Sequence, residues 1–207
     1  MRLTVMSHLT LDGVVQSNGK PEPELGDGFK QGGWQVPYLD QDLVGMIGDW
    51  ITAADAFLFG RGTYTMFAGH WPLVTDPDDP IAARLNGQPK YVVSTTLQQV
   101  GWAHSTVLRG DVAEEVAKVK EQTGNELQLH GSATLLRTLM QHGLVDEYRL
   151  FVHPVVLGNG NRLFEPGTTP TAMDLVDIKT TSRGVAVQVY RPAGEPHYGA
   201  VAPGASV

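Results

Sequence analysis

The sequence predicts an α/β fold of three layers, α/β/α, in which helices cover both faces of one mixed, mostly parallel sheet that closes on an antiparallel C-terminal edge. Three observations predict it. Apolar runs of strand length alternate with segments of helical period through the first two thirds of the chain, which requires crossover connections and parallel strands. The last third holds three strand candidates with no helix between them, so an antiparallel pair ends the sheet. The 207 residues, 42% hydrophobic and 18% charged, are enough for one substantial core. Residues 1–191 are expected to form a single domain, with 192–207 a loose tail rich in Pro, Gly and Ala.

The elements follow in order. Residues 3–9 alternate apolar and polar side chains as a strand does, and Asp12-Gly13 permits a sharp turn after it. Residues 16–37 hold five Gly and three Pro, too much punctuation for regular structure, and loops this long in a compact domain often serve as lids. From Asp40, the apolar residues Leu43, Val44, Ile47, Trp50, Ile51 and Ala54 recur at helical spacing. Ala56-Phe57-Leu58-Phe59 is a buried strand, and a helix opens near Thr63. Asp79 as cap, Pro80 at the first helical position and Gly87 at the end mark a short helix. Strands at 90–94 and 106–108, a helix within 111–123, a strand at 127–130 and a helix bearing Leu135, Leu136, Leu139 and Met140 come next. Residues 148–157 are the longest strand candidate, and 173–179 with 185–190 form the closing antiparallel pair.

Composition excludes several functions. No apolar run is long enough to span a bilayer, and the first residues carry no signal-peptide pattern, so a cytoplasmic protein is expected. The absence of cysteine removes disulfides, thiolate-bound zinc and thiol nucleophiles. A formal charge of -7 argues against a general nucleic-acid surface. The seven histidines show no i, i+4 or alternating pair, so no metal is expected. No Gly-x-Ser-x-Gly elbow suggests a serine hydrolase.

The chemistry concentrates in the turns that follow strands. Gly60-Arg61-Gly62-Thr63 sits where a buried strand hands over to a helix, so free amides, the positive dipole end and a guanidinium fork would face an anion. A tight turn with a surface Arg is the plainer reading. Ser94-Thr95-Thr96, Gly131-Ser132-Ala133-Thr134 and Gly158-Asn159-Gly160-Asn161 each close another strand. Ligands gather at such strand ends in open α/β sheets, although ordinary capping explains any one of these segments alone. Arg61 with the hydroxyls of residues 94–96 suits a phosphomonoester, which favours NADP over NAD. A Rossmann fingerprint and a P-loop are both missing.

The chain resembles the dihydrofolate reductase-like proteins, and more closely the reductase domain of bifunctional riboflavin-biosynthesis deaminase-reductases and its stand-alone relatives. The resemblance runs from about residue 2 to residue 190. It is carried by Ser7-His8-Leu9-Thr10-Leu11-Asp12-Gly13, Leu58-Phe59-Gly60-Arg61-Gly62-Thr63-Tyr64, Val92-Val93-Ser94, Leu129-His130-Gly131-Ser132-Ala133, Leu144-Val145-Asp146-Glu147 and Pro154-Val155-Val156-Leu157-Gly158-Asn159-Gly160. It implies an NADPH-dependent reductase in which Gly60, Arg61 and Thr63 contact phosphates, Ser94 and Thr95 sit by the 2′-phosphate, and Gly131, Ser132, Ala133 and Thr134 wrap the pyrophosphate. Gly158 and Gly160 would lie on the nicotinamide side. It also implies a homodimer, in keeping with a sheet edge that needs covering.

The substrate end is less defined. Folate-reducing members place a carboxylate at the start of the first long helix, where this chain has Asp40 and Asp42; either also reads as an acid stabilising the helix dipole. Asp12, beside the first strand's end, is the preferred catalytic candidate, against the reading of a simple turn aspartate. Trp34, Tyr38, Trp50 and Trp71 could flank a planar substrate or belong to the core. The expected activity is hydride transfer to a small heterocyclic, carbonyl or imine acceptor, needing no protein nucleophile. The alternative is an NADP(H)-binding protein that keeps the fold without turnover.

Overall fold

The computed structural model describes residues 1–16 and 29–200, so residues 17–28 of the predicted lid loop and the last seven of the predicted tail lie outside the described residues. Eight strands form one sheet: β1 (Arg2–Thr10), β2 (Ala56–Gly60), β3 (Lys90–Val93), β4 (Ser105–Leu108), β5 (Glu126–His130), β6 (Glu147–His153), β7 (Met173–Thr180) and β8 (Ala186–Pro192). Their order is β4-β3-β2-β5-β1-β6-β8-β7. The first six in that order run parallel, while β8 lies antiparallel to β6 and β7 antiparallel to β8.

Five α-helices cover the sheet: α1 (Gln41–Ala53), α2 (Arg61–Ala68), α3 (Pro80–Gly87), α4 (Val112–Lys120) and α5 (Ala133–Gln141). The period-2 alternation of the central strands divides their side chains between two cores. Leu3, Val5, Leu58, Leu127 and Leu129 pack with Val116 and Val119 of α4 and with Leu135, Leu136 and Leu139 of α5. Met6, Phe57, Phe59 and Phe151 face the other way, against Leu43 and Ile51 of α1, Tyr64 of α2 and Leu85 of α3. A smaller cluster of Val14, Phe29 and Trp34, backed by Val155 and Leu157, roofs the ends of β1 and β6.

The predicted strand at 148–157 stops early. β6 ends at His153 because Pro154 has no N–H to offer the ladder, and the residues beyond it turn toward the loop after β1, where the Leu11 amide donates to the Val155 carbonyl at 2.9 Å.

Buried charges lie at the amino edge of the sheet, under α1. Arg149 on β6 donates to both oxygens of Glu126 on β5 at 2.9 and 2.8 Å and to Glu147 at 3.0 Å. Glu147 in turn accepts from Arg191 at 2.9 and 3.1 Å, and Arg2 reaches both acids. The Trp50 ring lies 4.9 Å from the Arg149 guanidinium. Every charge in the group has a partner of opposite sign, the condition under which buried ions persist.

Candidate functional site

In the parallel part of the sheet all strands end at the same edge, so the turns after β1, β2, β3, β5 and β6 converge there. That edge collects the four turn segments singled out from sequence, together with Asp12. β2 and β5 are neighbours, and the two helices that leave them, α2 and α5, start side by side.

Their junctions interlock. A Cβ built on Gly60 would lie 2.2 Å from the Ser132 Oγ and 2.8 Å from its Cβ, so only glycine allows the β2 turn to pass under the β5 turn. A Cβ on Gly131, which has φ of +59°, would lie 3.0 Å from the Thr63 Oγ1. Ser132 itself adopts the left-handed conformation, φ 57° and ψ 71°, a strained state for a residue with a side chain. The reciprocal contacts hold Gly60, Thr63, Gly131 and Ser132 as one unit.

Capping separates these helices from the others. α1, α3 and α4 begin at Asp40, Asp79 and Asp111, each of whose carboxylates accepts a hydrogen bond from a first-turn amide. Neither α2, which begins at Gly60, nor α5, which begins at Ser132, has a side-chain cap bond. Their leading amides are thus not engaged by capping side chains, in the geometry that receives anions. Arg61 is exposed, and its guanidinium has no hydrogen-bond or ion-pair partner among the described residues. Ala133 and Thr134 lie in the first turn of α5, where the Thr134 hydroxyl accepts a long bond, 3.4 Å, from Arg137.

At the end of β3, the Ser94 Oγ accepts from the amides of Thr96 at 3.3 Å and Leu97 at 3.0 Å, so its hydroxyl proton remains to be donated. Thr95 is exposed beside it. The two glycines after β6 differ. Gly158 faces open space, whereas a Cβ on Gly160 would strike Val14 and Phe29 at 2.7 and 2.8 Å; its lack of a side chain serves packing of the roof cluster.

Asp12 is held as part of a turn. It accepts from the Thr10 hydroxyl at 2.6 Å, the Gly158 amide at 2.8 Å and the Leu157 amide at 3.2 Å, with Arg162 at 3.5 Å. The Thr10 hydrogen bond is the largest cause of a pKa held down at about 2; burial opposes it, and the Gly158 and Leu157 amides add to the lowering. A carboxylate so held is an anion at neutral pH and ties the exit of β6 to the end of β1. Asp40 and Asp42 bind the β7–β8 turn, through the Arg183 and Ser182 amides respectively at 2.8 and 2.9 Å.

Three histidines lie on the α1 face near this edge. His130 is satisfied: its Nε2 donates to the Gln128 amide oxygen at 2.6 Å. His8 and His153 are not. The His8 ring stacks on Phe151, with centroids 4.4 Å apart, and its Nδ1 is buried without a partner. His153 uses Nδ1 on the carbonyls of Phe151 at 3.0 Å and Leu9 at 3.3 Å, leaving a buried, unpartnered Nε2. His153 is thus satisfied at one nitrogen only. Trp34 and Tyr38 meet its ring edge-on at 5.2 and 5.8 Å, whereas Trp50 packs on Phe151 and Arg149 and Trp71 on Phe67 and His70. Of the four aromatics read as either substrate-flanking or core, Trp34 and Tyr38 reach this corner.

Comparison with known proteins agrees with this fold. A family model described as the RibD C-terminal domain matches residues 2–187. The uncharacterized protein YyaP of Bacillus subtilis (strain 168) is 32% identical over 185 residues, which cover 88% of this chain and 90% of that protein. Among solved structures, a pyrimidine reductase-like protein of Corynebacterium diphtheriae superposes with a TM-score of 0.64 at 12% identity, covering 94% of this chain and 92% of the other. Dihydrofolate reductase of Enterococcus faecalis, complexed with NADP(H), gives 0.59 at 11% identity over 93% of this chain and 96% of the other. Both likenesses are of fold.

Proposed function

The chain belongs to the RibD C-terminal domain family, and from that premise we propose that it is an NADPH-dependent reductase acting on a small planar heterocycle or a carbonyl- or imine-containing compound. The observation that carries the reading is the adjacent pair of uncapped helix starts, α2 and α5, with the unpartnered guanidinium of Arg61 beside them. A dinucleotide pyrophosphate fits this pair. The aspartates that cap α1, α3 and α4 would repel it.

Gly60, Thr63 and Gly131, Ser132, Ala133 and Thr134 would hold the pyrophosphate. Arg61 with Ser94 and Thr95 would hold the 2′-phosphate, the two hydroxyls donating and the guanidinium adding a fixed charge. Gly158, open on its Cβ side, would allow the nicotinamide end to approach the backbone, with Asp12 fixing the loop that carries Gly158. Bound NADPH supplies the hydride; the protein's part is to place the acceptor against it and exclude water. In this reading Asp12 is a positioning residue, and the proton reaches the product by another route.

The alternative, a nucleotide-binding protein without turnover, is favoured by one observation: Asp12, Asp40 and Asp42 are each committed to backbone amides. Titration with NADPH and NADH, read by tryptophan quenching, followed by NADPH oxidation with candidate acceptors, separates the readings. Selective NADPH binding with consumption supports the reductase, and binding without consumption of any acceptor supports the alternative. Absence of affinity for either nucleotide overturns both.

A homodimer in the cytoplasm completes the proposal. Leu175, Val176 and Ile178 are exposed on the edge strand β7, and an apolar hollow of about 300 Å³ between Leu150, Phe164, Met173 and Tyr190 lies on the adjoining sheet face. No helix among the described residues is long and apolar enough to cross a membrane. Light scattering that gives a monomer at tens of micromolar removes the dimer.

A further inference from the structure

We infer that His8 and His153 form the polar end of the acceptor pocket and select an uncharged planar ring that presents an N–H or O–H donor beside a hydrogen-bond acceptor. The inference rests on the reductase reading for its choice of site, and it names the chemistry of the substrate.

The argument begins with two buried nitrogens. His8 Nδ1 and His153 Nε2 are enclosed and, among the described residues, unpartnered, each an omission that costs about 1–3 kcal/mol when nothing fills it. They belong to adjacent strands at the ligand edge: in the β1–β6 register His8 opposes Phe151 and Thr10 opposes His153, which puts the two rings diagonally across the pair with centroids 5.5 Å apart. Two unfilled positions on one face describe a place for a group from outside the chain.

The tautomer of His153 fixes what that group must bring. Both partners of its Nδ1 are carbonyl oxygens, so Nδ1 carries the hydrogen and Nε2 is a bare lone pair. A ligand must donate to it. Among the described residues the His8 ring makes no hydrogen bond, so either of its nitrogens can carry the hydrogen, and it can meet an acceptor on the same ligand. Burial, with repulsion from His153 and His130, keeps His8 neutral, with a pKa down at about 3. An anionic ring would need an imidazolium that this environment disfavours, and a cationic ring would need a carboxylate; none hydrogen-bonds to either imidazole among the described residues. The ring neighbours, Phe151 stacked on His8 and Trp34 and Tyr38 packed on His153, make the surroundings aromatic, which suits a planar ring. His8 retains partial exposure, so the corner is not sealed from solvent.

The test uses the full chain labelled with ¹⁵N-histidine, with the His8 and His153 ring resonances assigned from single substitutions. The probes are 2-pyridone, N-methyl-2-pyridone, which lacks the donor, 4-aminopyridine as a cation and benzoate as an anion. We expect 2-pyridone to shift the His153 Nε2 resonance saturably and to bind at least tenfold better than its N-methyl analogue, with no response to either ion. No shift with 2-pyridone means that water alone fills the corner, and equal responses to 2-pyridone and N-methyl-2-pyridone mean that no donor is read; either overturns the inference. His153→Phe, which keeps the ring volume, should abolish the 2-pyridone shift at His8, but the wild-type measurement decides the matter should that variant fail to fold. NADPH titration of the same sample keeps the two readings apart. Nucleotide binding without a pyridone response removes the histidine pair alone, and a pyridone response without nucleotide binding removes the cofactor reading alone.

Discussion

The two ends of the sheet treat polar groups in opposite ways. At the amino edge Arg149, Glu126, Glu147, Arg191 and Arg2 satisfy one another completely, and Trp50 covers the central guanidinium. At the carboxyl edge, among the described residues, two helix starts lack side-chain caps, the Arg61 guanidinium has no partner and two imidazole nitrogens are buried unpaired. Both regions are polar and both lie on the same eight strands. The difference teaches how to tell a structural polar cluster from a binding one: the first is closed among its own members, and the second is complementary to something outside the chain.

The comparison can be broken from either end. Arg149→Met should have the largest effect, because it leaves Glu126 and Glu147 buried beside each other with only peripheral arginines. A loss of about 3–5 kcal/mol in urea unfolding is expected, with NADPH affinity of the folded fraction unchanged. A loss under 1 kcal/mol would show the network to be solvated.

Acid should act next, and through the histidines at the carboxyl edge. The pKa values of His8 and His130 are both about 3, lowered chiefly by burial from 6.5, so the unfolded chain takes up protons that the folded chain refuses. Stability from these groups is fully present above pH 6.5 and is lost as pH falls toward 3. Each contributes a slope near 1.4 kcal/mol per pH unit well inside that window, and the two together a loss of about 3 kcal/mol at pH 5.5. Urea midpoints that stay level from pH 7.5 to pH 5 would contradict the enclosure of these rings.

Arg61→Ala should leave stability within about 0.5 kcal/mol and weaken NADPH about tenfold or more, with a much smaller effect on NADH. Equal losses for the two nucleotides would move Arg61 from the 2′-phosphate to the pyrophosphate. Asp12→Asn should be mildest, about 1 kcal/mol, and should raise the KM for the acceptor more than it lowers kcat. A collapse of kcat with KM unchanged would restore Asp12 as a proton donor.

Most of the fold could be read from the chain because its signals are local. Asp79-Pro80 and Gly87 mark α3 without reference to anything distant, and Val112, Val116 and Val119 show their helical period alone. The turns after β2, β3 and β5 were legible for the same reason: glycine and hydroxyl residues at a strand exit mean something wherever the strand lies. What escaped depends on register. Nothing in the sequence says that His8 and His153, 145 positions apart, are diagonal neighbours, that the Asp12 carboxylate reaches the Gly158 amide, or that Glu126, Glu147 and Arg149 share a face. The early end of β6 was local and readable from Pro154, but the apolar run Val155-Val156-Leu157 outweighed it; Val155 and Leu157 serve the roof over the loops.

The crossing of the β2 and β5 turns makes two distant codons a single unit of variation. Gly60 has backbone angles that any residue can adopt, φ -77° and ψ 162°, and only Ser132 stands in the way of a Cβ there. Ser132 holds a conformation that glycine would occupy at less strain. A lineage that exchanges the two residues therefore has one passable order, Ser132→Gly before Gly60→Ala, because the reverse order passes through a protein in which the two turns cannot cross. Once the later step is fixed the earlier one cannot be undone, and the junction becomes a one-way gate in the history of the site.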